Sequence, residues 1–236
     1  MSDEPLILAV PSKGRLMERA SELFKAAGLP LRKTGHERGY RGEIAGRNGI
    51  EIAFLSAAEI AYQLSSGRVH LGITGEDLIR EGGREGAPRT EVVRSLGFGE
   101  ADVVVAVPEC WLDVSHMSDL EDAAAIFFRE HGRRLRVATK YMNLTRRFFS
   151  DKGITGYRIV ESLGATEGTI AAGTAEMIVD ITSTGTTLQA NHLKVIEDGL
   201  ILKSQAVLAK SITASWPPAR SRELDEILSR LEAGGG

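Results

Sequence analysis

Short apolar runs alternate with amphipathic segments along the whole chain, and no other feature limits its possible folds so tightly. Eight runs read as strands: Leu6–Val10, Ile50–Leu55, Val69–Ile73, Asp102–Val107, Leu135–Thr139, Tyr157–Val160, Met177–Ile181 and Gln205–Ala209. Between them, Leu16, Ala20, Leu23, Phe24 and Ala27 share one helical face, and Gly28 is the expected stop. Ser118-Asp-Leu-Glu121 has the spacing of a capping box ahead of Leu120, Ala123, Ala124, Phe127 and Phe128. Leu224, Ile227, Leu228 and Leu231 stripe a last helix after Pro217-Pro218. This alternation predicts an α/β fold with mainly parallel sheets.

Two long extended stretches, Val92–Val107 and Ile196–Lys210, interrupt the rhythm, and no Pro/Ser-rich linker is present. Paired stretches of this kind suit a chain that leaves one lobe and returns to it. The expected division is residues 1–96 plus 202–236 in the first lobe and 97–201 in the second. Ligand sites often lie at domain interfaces, so a cleft between the lobes is expected.

Composition removes several alternatives. The 29 basic and 32 acidic residues leave a net charge of −3, which does not suggest a nucleic-acid coat or a membrane-surface protein. One cysteine, Cys110, excludes an internal disulfide framework and a cysteine metal cluster, and beside Trp111 it reads as a packed thiol. The opening MSDEPLILAVPSKGR lacks the pattern of a secretory signal. No apolar run approaches the roughly 20 residues of a membrane span. The expectation is a soluble, cytoplasmic protein.

The stretch VDITSTGTTLQ, from Val179 to Gln189, concentrates the chemistry. A strand ends, and Thr182, Ser183, Thr184, Gly185, Thr186 and Thr187 follow, five hydroxyls and one glycine ahead of a helix start. A turn alone needs fewer such residues. Hydroxyls and backbone N–H groups converging at a helix N-terminus make an anion site, and a phosphate monoester matches it. The bland alternative is a capped helix start with spare threonines. Asp180, just before the loop, reads as an acceptor for sugar hydroxyls or as a carboxylate capping a nearby loop.

Other strand ends repeat the theme. Pro11-Ser-Lys-Gly-Arg15 places Lys13 and Arg15 around Gly14 at a helix start, where cations oppose the macrodipole unless they share an anion. Solvated basic residues are the alternative. Val69-His-Leu-Gly-Ile-Thr-Gly-Glu-Asp77 also runs from a strand into a Thr-Gly-acid loop. From His131 to Ser150 there are six cations, Arg133, Arg134, Arg136, Lys140, Arg146 and Arg147, and no acid. That run reads as a polyphosphate surface, a solvated face or, against the net charge, a nucleic-acid patch. The five histidines show no HxxxH or HExxH spacing, and no Ser–His–Asp or Cys–His set is proposed. Phosphate cradles and cations without a nucleophile set suit transfer of a phosphorylated group, where positioning and electrostatics dominate.

The segment EGTIAAGTAEMIVDITSTGTTL, Glu167 to Leu188, resembles the signature of the ATP phosphoribosyltransferases. Leu8-Ala-Val-Pro-Ser-Lys-Gly-Arg-Leu16, Leu71-Gly-Ile-Thr-Gly-Glu-Asp-Leu78, Leu96-Gly-Phe-Gly99 and Arg136-Val-Ala-Thr-Lys-Tyr-Met-Asn-Leu-Thr-Arg146 extend the resemblance along the chain. The resemblance implies a two-lobed fold like that of type II periplasmic binding proteins. It implies condensation of ATP with phosphoribosyl pyrophosphate (PRPP), the first step of histidine biosynthesis. Adenine N1 attacks the anomeric carbon with inversion, and pyrophosphate leaves. On this resemblance Thr182–Thr187 would hold the PRPP 5′-phosphate, and Asp180 with Glu167 the ribose hydroxyls. Lys13, Gly14 and Arg15, with Gly75, Glu76 and Asp77, would face ATP. Mg²⁺ would ride on the pyrophosphate oxygens.

One departure shifts a role. Many members carry an arginine-rich stretch where this chain reads Phe54-Leu-Ser-Ala-Ala-Glu-Ile-Ala61. Neutralisation of pyrophosphate would then fall to Arg32, Arg38 and Arg41. The chain also stops soon after its last helix, as short-form members do. That form implies a homodimer within a hetero-oligomer, with a regulatory subunit resembling histidyl-tRNA synthetase. A solute-binding protein of the same fold and a purine-salvage phosphoribosyltransferase are the rivals. The latter typically places two adjacent acids before its Thr-Gly loop, whereas Asp180 follows Val179 alone.

Overall fold

A computed structural model describes residues 5–34, 40–83 and 88–234. They form two compact units, Met1–Gly99 with Gln205–Gly236, and Glu100–Ser204. The first begins with β1 (Leu6–Pro11), α1 (Gly14–Ala26), β2 (Leu31–Lys33), β3 (Arg41–Ile44) and β4 (Arg47–Leu55). It continues through α2 (Ala57–Ser65), β5 (Leu71–Gly75), α3 (Glu76–Gly82) and β6 (Thr90–Ser95). The second unit holds β7 (Ala101–Pro108), α4 (Met117–His131), β8 (Leu135–Thr139), α5 (Met142–Asp151) and β9 (Tyr157–Glu161). It ends with α6 (Gly168–Ala171), β10 (Met177–Thr182), α7 (Thr186–Ala190) and β11 (Leu193–Ser204). The chain then returns to the first unit as β12 (Ala206–Ser211) and α8 (Pro218–Ala233).

The first unit's sheet runs β2-β3-β4-β1-β5-β12-β6. Side chains alternate across a strand, so β1 serves two cores at once. Leu6, Leu8 and Val10 pack with Phe24 of α1 and with Leu224, Ile227 and Leu231 of α8. Ala9 faces the other way, toward Ile60 and Leu64 of α2 and Ile79 of α3. A strand covered on both faces must be apolar throughout, which is why LILAV reads as an unbroken run. Gly28 stands just past α1 at φ 70°, in the left-handed conformation expected of a helix stop.

The second unit's sheet runs β11-β7-β10-β8-β9. Its core gathers Val104, Ala106, Ala138, Ile178, Leu188 and Leu193.

Both sheets are mixed, which corrects the expectation of mainly parallel pairing. Among the described residues four pairings are parallel and six antiparallel. The helix-linked strands β4-β1-β5 and β10-β8-β9 are the parallel ones. The tight connection through Gly46, at φ 82°, forces β3 and β4 to run antiparallel. The long strands at either end of the second unit also pair antiparallel with their neighbours.

Two local expectations change as well. The cap of α4 is His116 rather than Ser118. The Asp119 carboxylate accepts the N–H groups of Ser115 at 3.0 Å and His116 at 2.7 Å. Glu121 is used elsewhere, accepting from the Thr155 N–H and hydroxyl at 2.9 Å each. Cys110 is exposed rather than packed, because β7 ends at Pro108 and the cysteine falls in the turn beyond it.

Candidate active site

In the second unit, β10 lies between β7, antiparallel, and β8, parallel. The carboxyl ends of β8, β9 and β10 therefore open on one sheet edge, the usual place for ligands in such sheets. Three of the segments singled out in the sequence leave from this edge: the loop to α5, the loop to α6 with Glu167, and the hydroxyl loop to α7.

The hydroxyl loop is held open by its own contacts. The Gly185 N–H donates to Thr182 Oγ1 at 2.9 Å, and Thr184 Oγ1 and Thr186 Oγ1 lie 2.8 Å apart. Gly185 has φ 74°, and a Cβ built there would meet nothing within 4 Å. The position is reserved for glycine by backbone conformation, not by space. Ser183, Thr184, Thr186 and Thr187 are exposed, so the hydroxyls face outward from the strand end.

Asp180 is mostly buried, with 16% of its side chain exposed. Its Oδ1 accepts the Ile181 N–H at 2.8 Å and lies 3.6 Å from Lys140 Nζ. Neither contact caps a distant loop. Glu167 is half-buried at the N-terminus of α6.

The basic run is not one surface. Arg133 and Arg136 both close on Glu176, at 3.0 and 2.7 Å, while Lys140 sits on Asp180. Arg136 also gives Glu176 its backbone N–H at 2.8 Å. Burial alone would raise the Glu176 pKa. The hydrogen bonds from Arg136 and Arg133 outweigh that and hold it at about 2. The acids missing from residues 131–150 are supplied by Glu176 and Asp180, just before and within β10. Lys140, one of the six cations of that run, is the site neighbour whose pairing with Asp180 sequence reasoning did not find. The available signal was that Asp180, a carboxylate at a buried strand end, requires a partner.

In the first unit, β4, β1 and β5 are parallel neighbours, so their carboxyl ends share an edge too. The Ser12 N–H donates to Leu55 O at 2.8 Å, and Thr74 Oγ1 donates to Ala57 O at 2.8 Å, which ties the three strand ends together. Lys13 is the N-cap of α1, whose first turn contains no acid. Lys13, Gly14 and Arg15 are exposed, and Gly14 has φ 77°. The two cations make no ion pair among the described residues. At Gly75 a Cβ would run into the Asp77 carboxylate, so the acid is folded over the glycine and buried. Glu76 pairs with Arg80 at 2.8 Å.

Of the three arginines assigned to pyrophosphate, two lie on neighbouring strands, Arg32 on β2 and Arg41 on β3. Arg32 is exposed on the outermost strand, β2. Arg41 pairs with Glu51 at 3.2 Å. Arg38 lies outside the described residues. His70, one of the histidines without a motif, is buried, and its Nδ1 accepts the Ile7 N–H at 3.0 Å as a structural link.

Residues 56–233 match the model of the family described as ATP phosphoribosyltransferase. A protein of that name from Rhodopseudomonas palustris (strain BisB18) is 58% identical over 229 residues, 97% of this chain and 70% of its own length. Among solved structures, a complex described as ATP phosphoribosyl transferase (HisG:HisZ) from Thermotoga maritima aligns with TM-score 0.71 at 23% identity, over 97% of both chains. A probable amino-acid ABC transporter extracellular-binding protein from Bacillus subtilis, ytmK, aligns with TM-score 0.53 at 11% identity, over 98% of this chain and 92% of its own. These structural likenesses show the fold, that of the type II periplasmic binding proteins.

Proposed function

The chain belongs to the ATP phosphoribosyltransferase family, and from that premise we propose which of its residues hold the two substrates. The reaction joins adenine N1 of ATP to the anomeric carbon of PRPP and releases pyrophosphate, the first step of histidine biosynthesis. Membership excludes the solute-binding and purine-salvage alternatives.

The Thr182–Thr187 loop takes the PRPP 5′-phosphate, with Asp180 and Glu167 on the ribose hydroxyls. The observation that carries this reading is Gly185 at φ 74° in an exposed hydroxyl loop, immediately beyond Asp180 at the carboxyl end of β10. Lys13, Gly14 and Arg15 take ATP phosphates. Gly75, Glu76 and Asp77 complete that side, with buried Asp77 shaping the loop from below. Arg41, whose side chain is 80% exposed, is available to leave Glu51 for pyrophosphate, with Arg32 and Arg38 as further candidates. An oxocarbenium-like transition state puts the main demand on neutralising the leaving group.

Mg²⁺ is the proposed cofactor, carried by the pyrophosphate oxygens. The described residues gather no group of three or more ligating side chains, and Mg²⁺ characteristically keeps waters and substrate phosphates in its shell. A homodimer joined to a regulatory subunit resembling histidyl-tRNA synthetase is the proposed assembly, supported by the fold shared with the Thermotoga maritima complex. The proposed location is the cytoplasm. No described helix is long and apolar enough to cross a membrane.

The test is calorimetric. Thr184→Val and Gly185→Val should each weaken PRPP binding about 10- to 100-fold, the cost of losing hydrogen bonds to a charged group. ATP affinity should hold. Unchanged PRPP affinity in both variants refutes the assignment.

A further inference from the structure

The proposed phosphate cradle has an unusual feature. From Thr182 to Asn191 it contains no lysine or arginine. The helix behind it, α7, has only five residues, so it contributes little dipole. A phosphate monoester carries close to two negative charges near neutral pH. Hydroxyls and amides bind phosphate through dipoles but carry no countercharge, and Asp180 beside the loop is an acid. A cation at this strand end supplies what the loop lacks.

One is already there. Lys140 directly follows β8, the parallel neighbour of β10, and its Nζ lies 3.6 Å from Asp180 Oδ1. The ammonium also stands 5.1 Å from the Tyr141 ring centroid, which limits where it can swing. Tyr141 itself is buried, with its N–H donating to Thr139 Oγ1 at 2.8 Å, so the residue after Lys140 is fixed. About two-fifths of the Lys140 side chain stays exposed, leaving room for a ligand oxygen. An ammonium has three N–H donors, and Asp180 uses at most part of that capacity.

Resting on the PRPP reading above, we infer that Lys140 is the cation of the sugar-phosphate site. It holds Asp180 oriented for the ribose hydroxyls and at the same time gives the 5′-phosphate the positive charge its loop lacks. No other described residue of the basic run is placed against Asp180 by an ion pair. Arg133 and Arg136 are committed to Glu176.

The experiment compares Lys140→Met and Lys140→Arg with the loop variant Thr184→Val, using PRPP and, separately, ribose 5-phosphate as titrants. Lys140→Met should raise the Kd for both ligands about 10- to 100-fold and leave ATP affinity unchanged, with a lower Tm because Asp180 loses its partner. Lys140→Arg, which keeps the charge, should bind both within about threefold of wild type. If Thr184→Val weakens PRPP while Lys140→Met does not, the role assigned to Lys140 is wrong and the phosphate loop stands. If neither variant affects PRPP, both readings fall. Equal losses in Lys140→Met and Lys140→Arg, or a loss of ATP affinity with Tm, mark a packing role for the lysine stem and overturn the proposal.

Discussion

Replacing Glu176 by glutamine removes the charge that two arginines share while keeping the side chain's shape. Glu176 is 13% exposed, and it links the start of β8, through Arg136, to the start of β10. Its folded pKa of about 2, against an ordinary 4.5, corresponds to about 3 kcal/mol at roughly 1.4 kcal/mol per pH unit. Arg133 is nearly half exposed, and solvent screening of its share reduces the expected loss in Glu176→Gln to about 2 kcal/mol near pH 7. The sign follows from the direction of the shift. A carboxylate with depressed folded pKa stabilises the fold above its unfolded value and loses that contribution as pH falls through 4.5 toward 2. By about pH 3.5 the wild type has lost roughly 1.4 kcal/mol of it, and the variant, with nothing to protonate there, has not. Urea unfolding followed by circular dichroism at the two pH values reads both stabilities. The gap between wild type and variant should narrow on acidification. A constant gap, or none at pH 7, refutes the reasoning.

Two further outcomes follow from the substrate assignments. Lys13→Ala and Arg15→Ala should each lower kcat/KM for ATP about tenfold, with stability unchanged or raised by a few tenths of a kcal/mol, because a cation leaves a helix N-terminus; wild-type kinetics in both variants leave only solvated side chains. Mixing the chain with a subunit resembling histidyl-tRNA synthetase should raise kcat and confer histidine inhibition together, as a coupling between sites on different chains; full activity and one-site histidine inhibition in the isolated chain refute the proposed assembly.

The elements legible in the sequence were those whose signal is local. Leu135–Thr139 is β8 to the residue, a short run of which only Arg136 is not buried. The hydroxyl loop was equally plain, since five of its six residues carry the same chemistry. Leu31–Lys33 and Arg41–Ile44 left no trace, being short, polar and at or next to the sheet edge. What the sequence hides is pairing across distance. Lys140 and Asp180 are 40 positions apart and meet only because β8 and β10 align in parallel. Arg133 and Arg136 resembled a free basic surface because the acid they share lies 40 or more positions away. The buried setting of Asp77, an acid in an apparently open loop, also depends on neighbours the local pattern does not name.

The division of the chain has a consequence for how it is made. The second unit is one uninterrupted stretch, so all its strands exist once residue 204 has left the ribosome. The first is not. Its sheet places β12 between β5 and β6, so a strand from the end of the chain fills an interior position of a sheet begun at the start. Until residue 211 is synthesised, β5 and β6 each present an unpaired edge, and the Leu208 side of the core is missing. Open strand edges beside unfinished apolar surface are where nascent chains mispair. The part of the protein synthesised first is thus the part that finishes folding last, and its exposure is greatest while the inserted unit is being translated.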